Sequence, residues 1–190
     1  RISDSTIEGN DCTGGGWQGI LLQKPDTDPL TGNSRNNRIH NNRVSNQSAY
    51  GICCYEYIRS QTRNIVTANK IHTISGVNPN GAGGAGIYIM GEGGDTIADN
   101  EIWNCCINTA NETLTPAGIG VNLRSDDPDD NSTGTMIRNN TISRMAQYDC
   151  IRVVGSGPNH GVTISGNTLS QHAANGKGIR LINTSSFALT

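Results

Sequence analysis

Six short segments of the chain repeat one pattern: "IEGNDC" (7–12), "IHNNRV" (39–44), "VTANKI" (66–71), "IADNEI" (97–102), "IRNNTI" (137–142) and "ISGNTL" (164–169). Each has an aliphatic residue, two variable residues, an asparagine, one variable residue, then a small or aliphatic apolar residue. The asparagines are Asn10, Asn42, Asn69, Asn100, Asn140 and Asn167, separated by 32, 27, 31, 40 and 27 residues. A period in that range marks an array of units, each too small to bury a core by itself.

A second series interleaves with the first: "GILL" (19–22), "GICC" (51–54), "GIYI" (86–89), "GIGV" (118–121), "CIRV" (150–153) and "GIRL" (178–181). Each unit therefore holds three short extended pieces: the Gly-Ile strand, a strand ending before the Asn, and a strand beginning after it. Alternation places Ile20 and Leu22, Ile52 and Cys54, Ile87 and Ile89, Ile119 and Val121, Ile151 and Val153, and Ile179 and Leu181 on one face. Stacked coil on coil, the pieces form three parallel sheets around a narrow core. At about 4.8 Å per coil, six coils give a rod on the order of 30 Å long. The composition agrees, with 21 Ile against 8 Leu and 23 Asn beside 24 Gly. That mixture suits short β-branched strands and frequent turns, and suits helices badly.

An inward asparagine at a tight bend donates and accepts along the stack, and satisfies turn backbone that would otherwise be buried unpaired. The recurring Asn is thus read as an asparagine ladder. A leucine-rich repeat is the rival, because its consensus also carries Leu-x-x-Asn-x-Leu. That consensus wants a further aliphatic residue two positions earlier. Ser5, Asn37, Asn64, Asp95, Thr135 and Val162 stand there, and only the last is aliphatic.

Charged residues make up 16% of the chain and the formal net charge is −2, which leaves no basic footprint for nucleic acid and no polybasic membrane patch. No apolar run approaches the roughly 20 residues of a membrane span. Cys12, Cys53, Cys54, Cys105, Cys106 and Cys150 match no zinc spacing and read as small apolar fillers. Unpaired thiols lean towards assembly in a reducing compartment. Arg1 runs directly into a coil, and only residues 183–190 follow Ile182. Open solenoid ends expose core and strand edges. The expectation is one domain over residues 1–190, a segment of a larger protein whose ends are capped by flanking domains or another chain.

The two series together resemble the right-handed parallel β-helix of the pectate-lyase-like superfamily, over roughly residues 2–184. That group includes polysaccharide lyases, polygalacturonases, uronan epimerases and phage tailspike depolymerases. The expected fold is all-β, a right-handed single-stranded parallel β-helix of about six coils. The matching motifs are scaffold, so they specify fold and not chemistry. The resemblance implies sugar chains along the outer face of one sheet, between long loops. Here the Gly-Ile strand is flanked by the long segments 24–34, 74–85, 106–117 and 124–134, so it is the matching sheet. Its outward residues are Leu21, Cys53, Tyr88, Gly120, Arg152 and Arg180, then Gln23, Tyr55, Met90, Asn122, Val154 and Ile182.

On that face Tyr55 and Tyr88, diagonal on neighbouring coils with Tyr57 close by, offer flat rings to a sugar, or are ordinary strand aromatics. Asn122, Arg124 and Arg180 complete the substrate-binding set. Stacked Arg152 and Arg180 suit an acidic sugar, or pair with loop carboxylates such as Asp149. Hydrolysis requires two carboxylates roughly 5–10 Å apart, and Glu56 and Glu92 follow successive Gly-Ile strands. Lyase or epimerase chemistry requires a base beside a neutralised uronate, for which Arg152 and Tyr88 are the candidates. Asp126, Asp127, Asp129 and Asp130 have the donor type for Ca²⁺ without the spacing of an EF-hand loop, or form a solvated acidic loop. No other cofactor is implied. His40, His72, His160 and His172 form no cluster and read as surface residues. The function expected is polysaccharide binding or degradation, tailspike-like or lyase-like. The resemblance adds a homotrimer and an extracellular or virion-associated setting. The alternative is a non-catalytic structural shaft or an adhesin-like binding rod.

Overall fold

The computed structural model describes residues 2–23, 35–55, 63–77, 84–91, 93–107, 117–123, 133–145, 148–155, 161–170, 176–182 and 186–189. Every strand pairing among these residues is parallel. The first sheet has seven strands, running in stacking order Thr6–Glu8, Arg38–His40, Ile65–Thr67, Thr96–Ala98, Thr133–Arg138, Gly161–Ser165 and Ser186–Leu189. The second has six: Asp11–Thr13, Arg43–Ser45, Lys70–Ile74, Glu101–Cys105, Thr141–Ser143 and Thr168–Ser170. The third is the Gly-Ile sheet, also of six: Gln18–Gln23, Tyr50–Tyr55, Ala85–Gly91, Ala117–Leu123, Asp149–Gly155 and Ile179–Ile182. Each coil contributes one strand to each sheet, and the expected all-β solenoid is what forms.

Register sets like over like. Ile20, Ile52, Ile87, Ile119, Ile151 and Ile179 form one unbroken column. Together with Ile39, Val66, Ile97 and Ile137 from the first sheet and Val44, Ile71, Ile102 and Ile142 from the second, these residues make a single core. β-branched side chains fill it because they are stiff at χ1 and pack without gaps on a pleated surface.

The ladder Asn follows one left-handed residue in each coil. Asn41, Ala68, Asp99 and Asn139 have φ of 54–57°, and Gly9 and Gly166 have φ of 69° and 61°. This reversal turns the chain from the first sheet into the second and aims the next side chain inward. Nδ2 of Asn10, Asn42, Asn69, Asn100 and Asn140 then donates to Oδ1 of the Asn in the following coil, at 2.9–3.0 Å. The same Oδ1 atoms accept the backbone N–H of the preceding Asn. Nδ2 also reaches back a coil to the carbonyls of Ile7, Ile39, Val66, Ile97 and Ile137.

The positions that lack the leucine-rich aliphatic carry a second polar column. The Ser5 N–H donates to Oδ1 of Asn37, the Asn37 N–H and Nδ2 to Oδ1 of Asn64, and the Asn64 N–H to Oδ1 of Asp95 at 2.7 Å. Asn37, Asn64, Asp95 and Thr135 are all buried. A leucine-rich repeat would fill this corner with aliphatic carbon. Here it is a polar bend leading into the first sheet.

The glycine of the Gly-Ile strand answers a close approach. A Cβ on Gly118 would sit 2.6 Å from Cγ2 of Ile142 and 2.8 Å from the Cys150 carbonyl oxygen. At Gly19, Gly51, Gly86 and Gly118 the second-sheet aliphatic Val44, Ile71, Ile102 or Ile142 therefore packs directly on the glycine backbone of the third sheet, and Cys150 takes the glycine's place in the next coil. At Gly178 the nearest such neighbour, Cδ1 of Leu169, would be 3.7 Å away. The corner opens towards that end of the solenoid.

Candidate functional site

The outer face of the Gly-Ile sheet divides into a covered middle and a charged end. In the first outward column Leu21 is 39% exposed, whereas Cys53 and Tyr88 are 1% and 3% exposed. The Tyr88 ring stacks on Tyr50 with centroids 5.1 Å apart and planes 21° from parallel. Its hydroxyl donates to Sδ of Met90 at 3.6 Å. Ala49, Tyr50, Cys53, Ala85, Tyr88 and Met90 form an apolar cluster outside the coil, against which half-buried Tyr55 packs.

The expectation that Tyr88 offers a flat ring to a sugar is corrected here, because the ring is covered. Alternation sets the direction of a side chain and not its cover. Rings and sulfur atoms one strand spacing apart gain contact by closing on each other. Tyr88 presents no open ring face, and its hydroxyl is directed at sulfur, so it is poorly placed as a base in this arrangement. Tyr50 escaped sequence reasoning; the signal was an aromatic immediately before "GI". Burial pushes the Cys53 thiol up to about 12, so this thiol stays protonated and unreactive near neutrality.

Arg152 and Arg180 pair in register, one coil apart, and both are half-buried. Arg180 Nε lies 3.0 Å from Oδ2 of Asp149, whose side chain is 1% exposed. Oδ1 of the same carboxylate accepts the Lys177 backbone N–H at 2.8 Å. Of the two readings of the arginine column, carboxylate pairing is what Arg180 makes, and Asp149 is its partner. Two guanidiniums and one carboxylate are thus gathered on this end of the sheet. Asn122 is half-buried in the second outward column, in register with Met90 and Val154.

Glu56, Tyr57, Glu92, Arg124, Asp126, Asp127, Asp129 and Asp130 lie outside the described residues, so the carboxylate pair and the acidic cluster have no geometry here. Among the described residues no group of three or more His, Cys, Asp or Glu could hold a metal ion. His40 sits 3.9 Å from Glu8 on the first sheet and His72 stacks on Trp103 on the second. Neither faces the Gly-Ile sheet.

A family model described as the right-handed β-helix region matches residues 1–190, and the chain belongs to that family. No curated protein and no solved structure matches the chain.

Proposed function

We propose that this β-helix binds an acidic polysaccharide along the outer face of the Gly-Ile sheet, at the end marked by Arg152 and Arg180. The observation that carries the reading is their in-register pairing, one coil apart, with the buried Asp149 carboxylate held against Arg180. Like charges at that spacing repel unless anions lie beside them. Asp149 pairs with Arg180, and guanidinium forks concentrated on one face suit a carboxylate such as that of a uronate. A polymer fits a solenoid because each coil repeats the same face along its length. The likeness to the pectate-lyase-like superfamily supports a sugar ligand, and the long sequence segments that precede and follow the strands of this sheet support a working face there. An extracellular or virion-associated setting and a trimeric assembly belong to the same reading.

The test is incubation with a panel of acidic and neutral bacterial polysaccharides, with binding measured and products weighed by mass spectrometry. Retention of acidic polymers alone, weakened at least tenfold by Arg152→Ala, is the expected result. Fragments one water lighter than hydrolysis products would identify a β-eliminating lyase, and fully hydrated fragments would direct attention to Glu56 and Glu92. A structural shaft is the second reading, favoured by the closed Tyr50–Tyr88–Met90 cluster. It predicts that no polymer is retained.

A further inference from the structure

The second sheet carries an aromatic feature that the Gly-Ile face does not use. Its outer column runs Thr13, Ser45, His72, Trp103, Ser143 and Ser170 in register. His72 and Trp103 stack with centroids 4.5 Å apart and planes 18° from parallel. That contact covers one face of the indole. On the side away from His72 the register continues with Ser143 in the next coil and Ser170 in the coil beyond. The neighbouring outward column continues with Thr141 and Thr168. Beyond Trp103 the sheet therefore drops from a stacked pair of rings to a floor of four short hydroxyl side chains. Trp103 stands as the wall of this step and is itself half-buried.

We propose that the step binds a neutral pyranose ring, its apolar C–H face against the side of Trp103 turned away from His72 and its hydroxyls over Ser143, Ser170, Thr141 and Thr168. The ligand class follows from the chemistry of the step. One wall is flat, apolar and electron-rich, which suits a ring presenting C–H groups. The floor donates and accepts hydrogen bonds but carries no charge, which suits hydroxyls and not carboxylates. The charged pair beside the wall, Lys70 and Glu101, lies 3.6 Å apart and cancels, so it offers no net field to an ion. Burial, with the Arg43 charge, lowers the His72 pKa, so its ring is neutral at pH 7 and stacks on the indole without competing as a cation. This site lies on a different sheet from the arginine pair and stands independently of what that pair binds.

Tryptophan emission tests the site. The chain has two Trp, so Trp17→Phe leaves Trp103 as the sole reporter. Titration of that protein with cellohexaose and maltohexaose should shift its emission saturably, with a dissociation constant of about 1 mM. Ser143→Phe fills the step from the next coil and leaves Trp103 in place. Ser143→Leu fills the same space with less bulk, should the aromatic variant fail to fold. Either folded variant should bind at least tenfold more weakly. No saturable shift up to about 10 mM with either sugar would overturn the proposal. So would binding that is unchanged when position 143 is filled. Acidic-polymer retention through Arg152, measured on the same proteins, is expected to persist, which separates the fate of this site from that of the Gly-Ile face.

Discussion

Asn100 donates through Nδ2 to Oδ1 of Asn140 at 2.9 Å, although 40 residues separate them, more than any other ladder step. The rung is no longer than the one between Asn42 and Asn69, which spans 27 residues. Extra chain between coils is therefore accommodated away from this bend, and the ladder holds the coil spacing regardless of loop length. Asn100 also donates to the Val66 carbonyl and accepts two bonds from Asn69. Asn100→Ala strands these partners inside the coil, where each unpaired buried group costs about 1–3 kcal/mol. We expect a loss of about 4 kcal/mol, summing two or three such groups, against about 1 kcal/mol or less for Asn10→Ala at the exposed terminal rung. Urea midpoints compare the two, and equal losses would refute a load-sharing ladder.

Gly118 makes the second prediction. A methyl group there meets Ile142 at 2.6 Å and the Cys150 carbonyl at 2.8 Å, and a backbone oxygen cannot move aside without breaking sheet pairing. Gly118→Ala should cost about 3 kcal/mol, at the upper end for overpacking. Gly15→Ala has nothing within 4 Å of the added carbon and no left-handed backbone to strain. Soluble yield and thermal midpoint should fall much further for the first variant. A milder effect at Gly118 would mean that the second sheet can slide outward.

The columns legible in the sequence are those in which geometry demands one residue type. Only an amide can both donate and accept along a buried bend, so the ladder Asn is repeated from Asn10 to Asn167. Only glycine tolerates the approach of Ile142 and its counterparts, so the Gly-Ile motif repeats from Gly19 to Gly118. The second polar column stayed hidden because Ser5, Asn37, Asn64, Asp95 and Thr135 share a position and not an identity. They are visible as failures of another consensus, and the bend joins the first four of them, Ser5 to Asp95, into a hydrogen-bonded ladder. The candidate site was less legible. Tyr88 points outward as alternation requires, but whether an outward ring is open depends on Tyr50 and Met90 beside it. Asp149 is legible as a possible partner for the arginines, but its choice of Arg180 and its burial follow from packing between coils.

Ala68 gives the third prediction. The residue before each ladder Asn is left-handed, and Gly9, Asn41, Asp99, Asn139 and Gly166 are types that visit this region readily. Ala68, at φ 55°, is the exception. Its Cβ pays about 1–2 kcal/mol in this conformation, partly offset because alanine has fewer unfolded states to lose than glycine. Ala68→Gly should stabilise the protein by about 1 kcal/mol. Differential calorimetry reads this as a raised midpoint. A lowered one would show that the unfolded-state entropy of glycine outweighs the relieved strain.

The thiols supply the last prediction, a pH dependence whose sign follows from burial. Burial pushes Cys53 and Cys105 up to about 12, and burial followed by the Asp149 charge pushes Cys150 up to about 11. In the unfolded chain these groups ionise near 9.0. The native state then holds protons that the unfolded state has released. Their contribution is fully present below pH 9 and is lost as pH rises from there towards the native values. Each thiol adds a slope of about 1.4 kcal/mol per pH unit in that window. Urea midpoints at pH 8, 9, 10 and 11 should fall, and Cys105→Ala should flatten the fall by one such increment. At pH 8 a thiol reagent should find one of the six cysteines first, half-buried Cys12, with the other five reacting only as coils open. Several fast thiols at pH 8, or a wild-type slope unchanged by Cys105→Ala, would show that the coils admit solvent around sulfur in the native state.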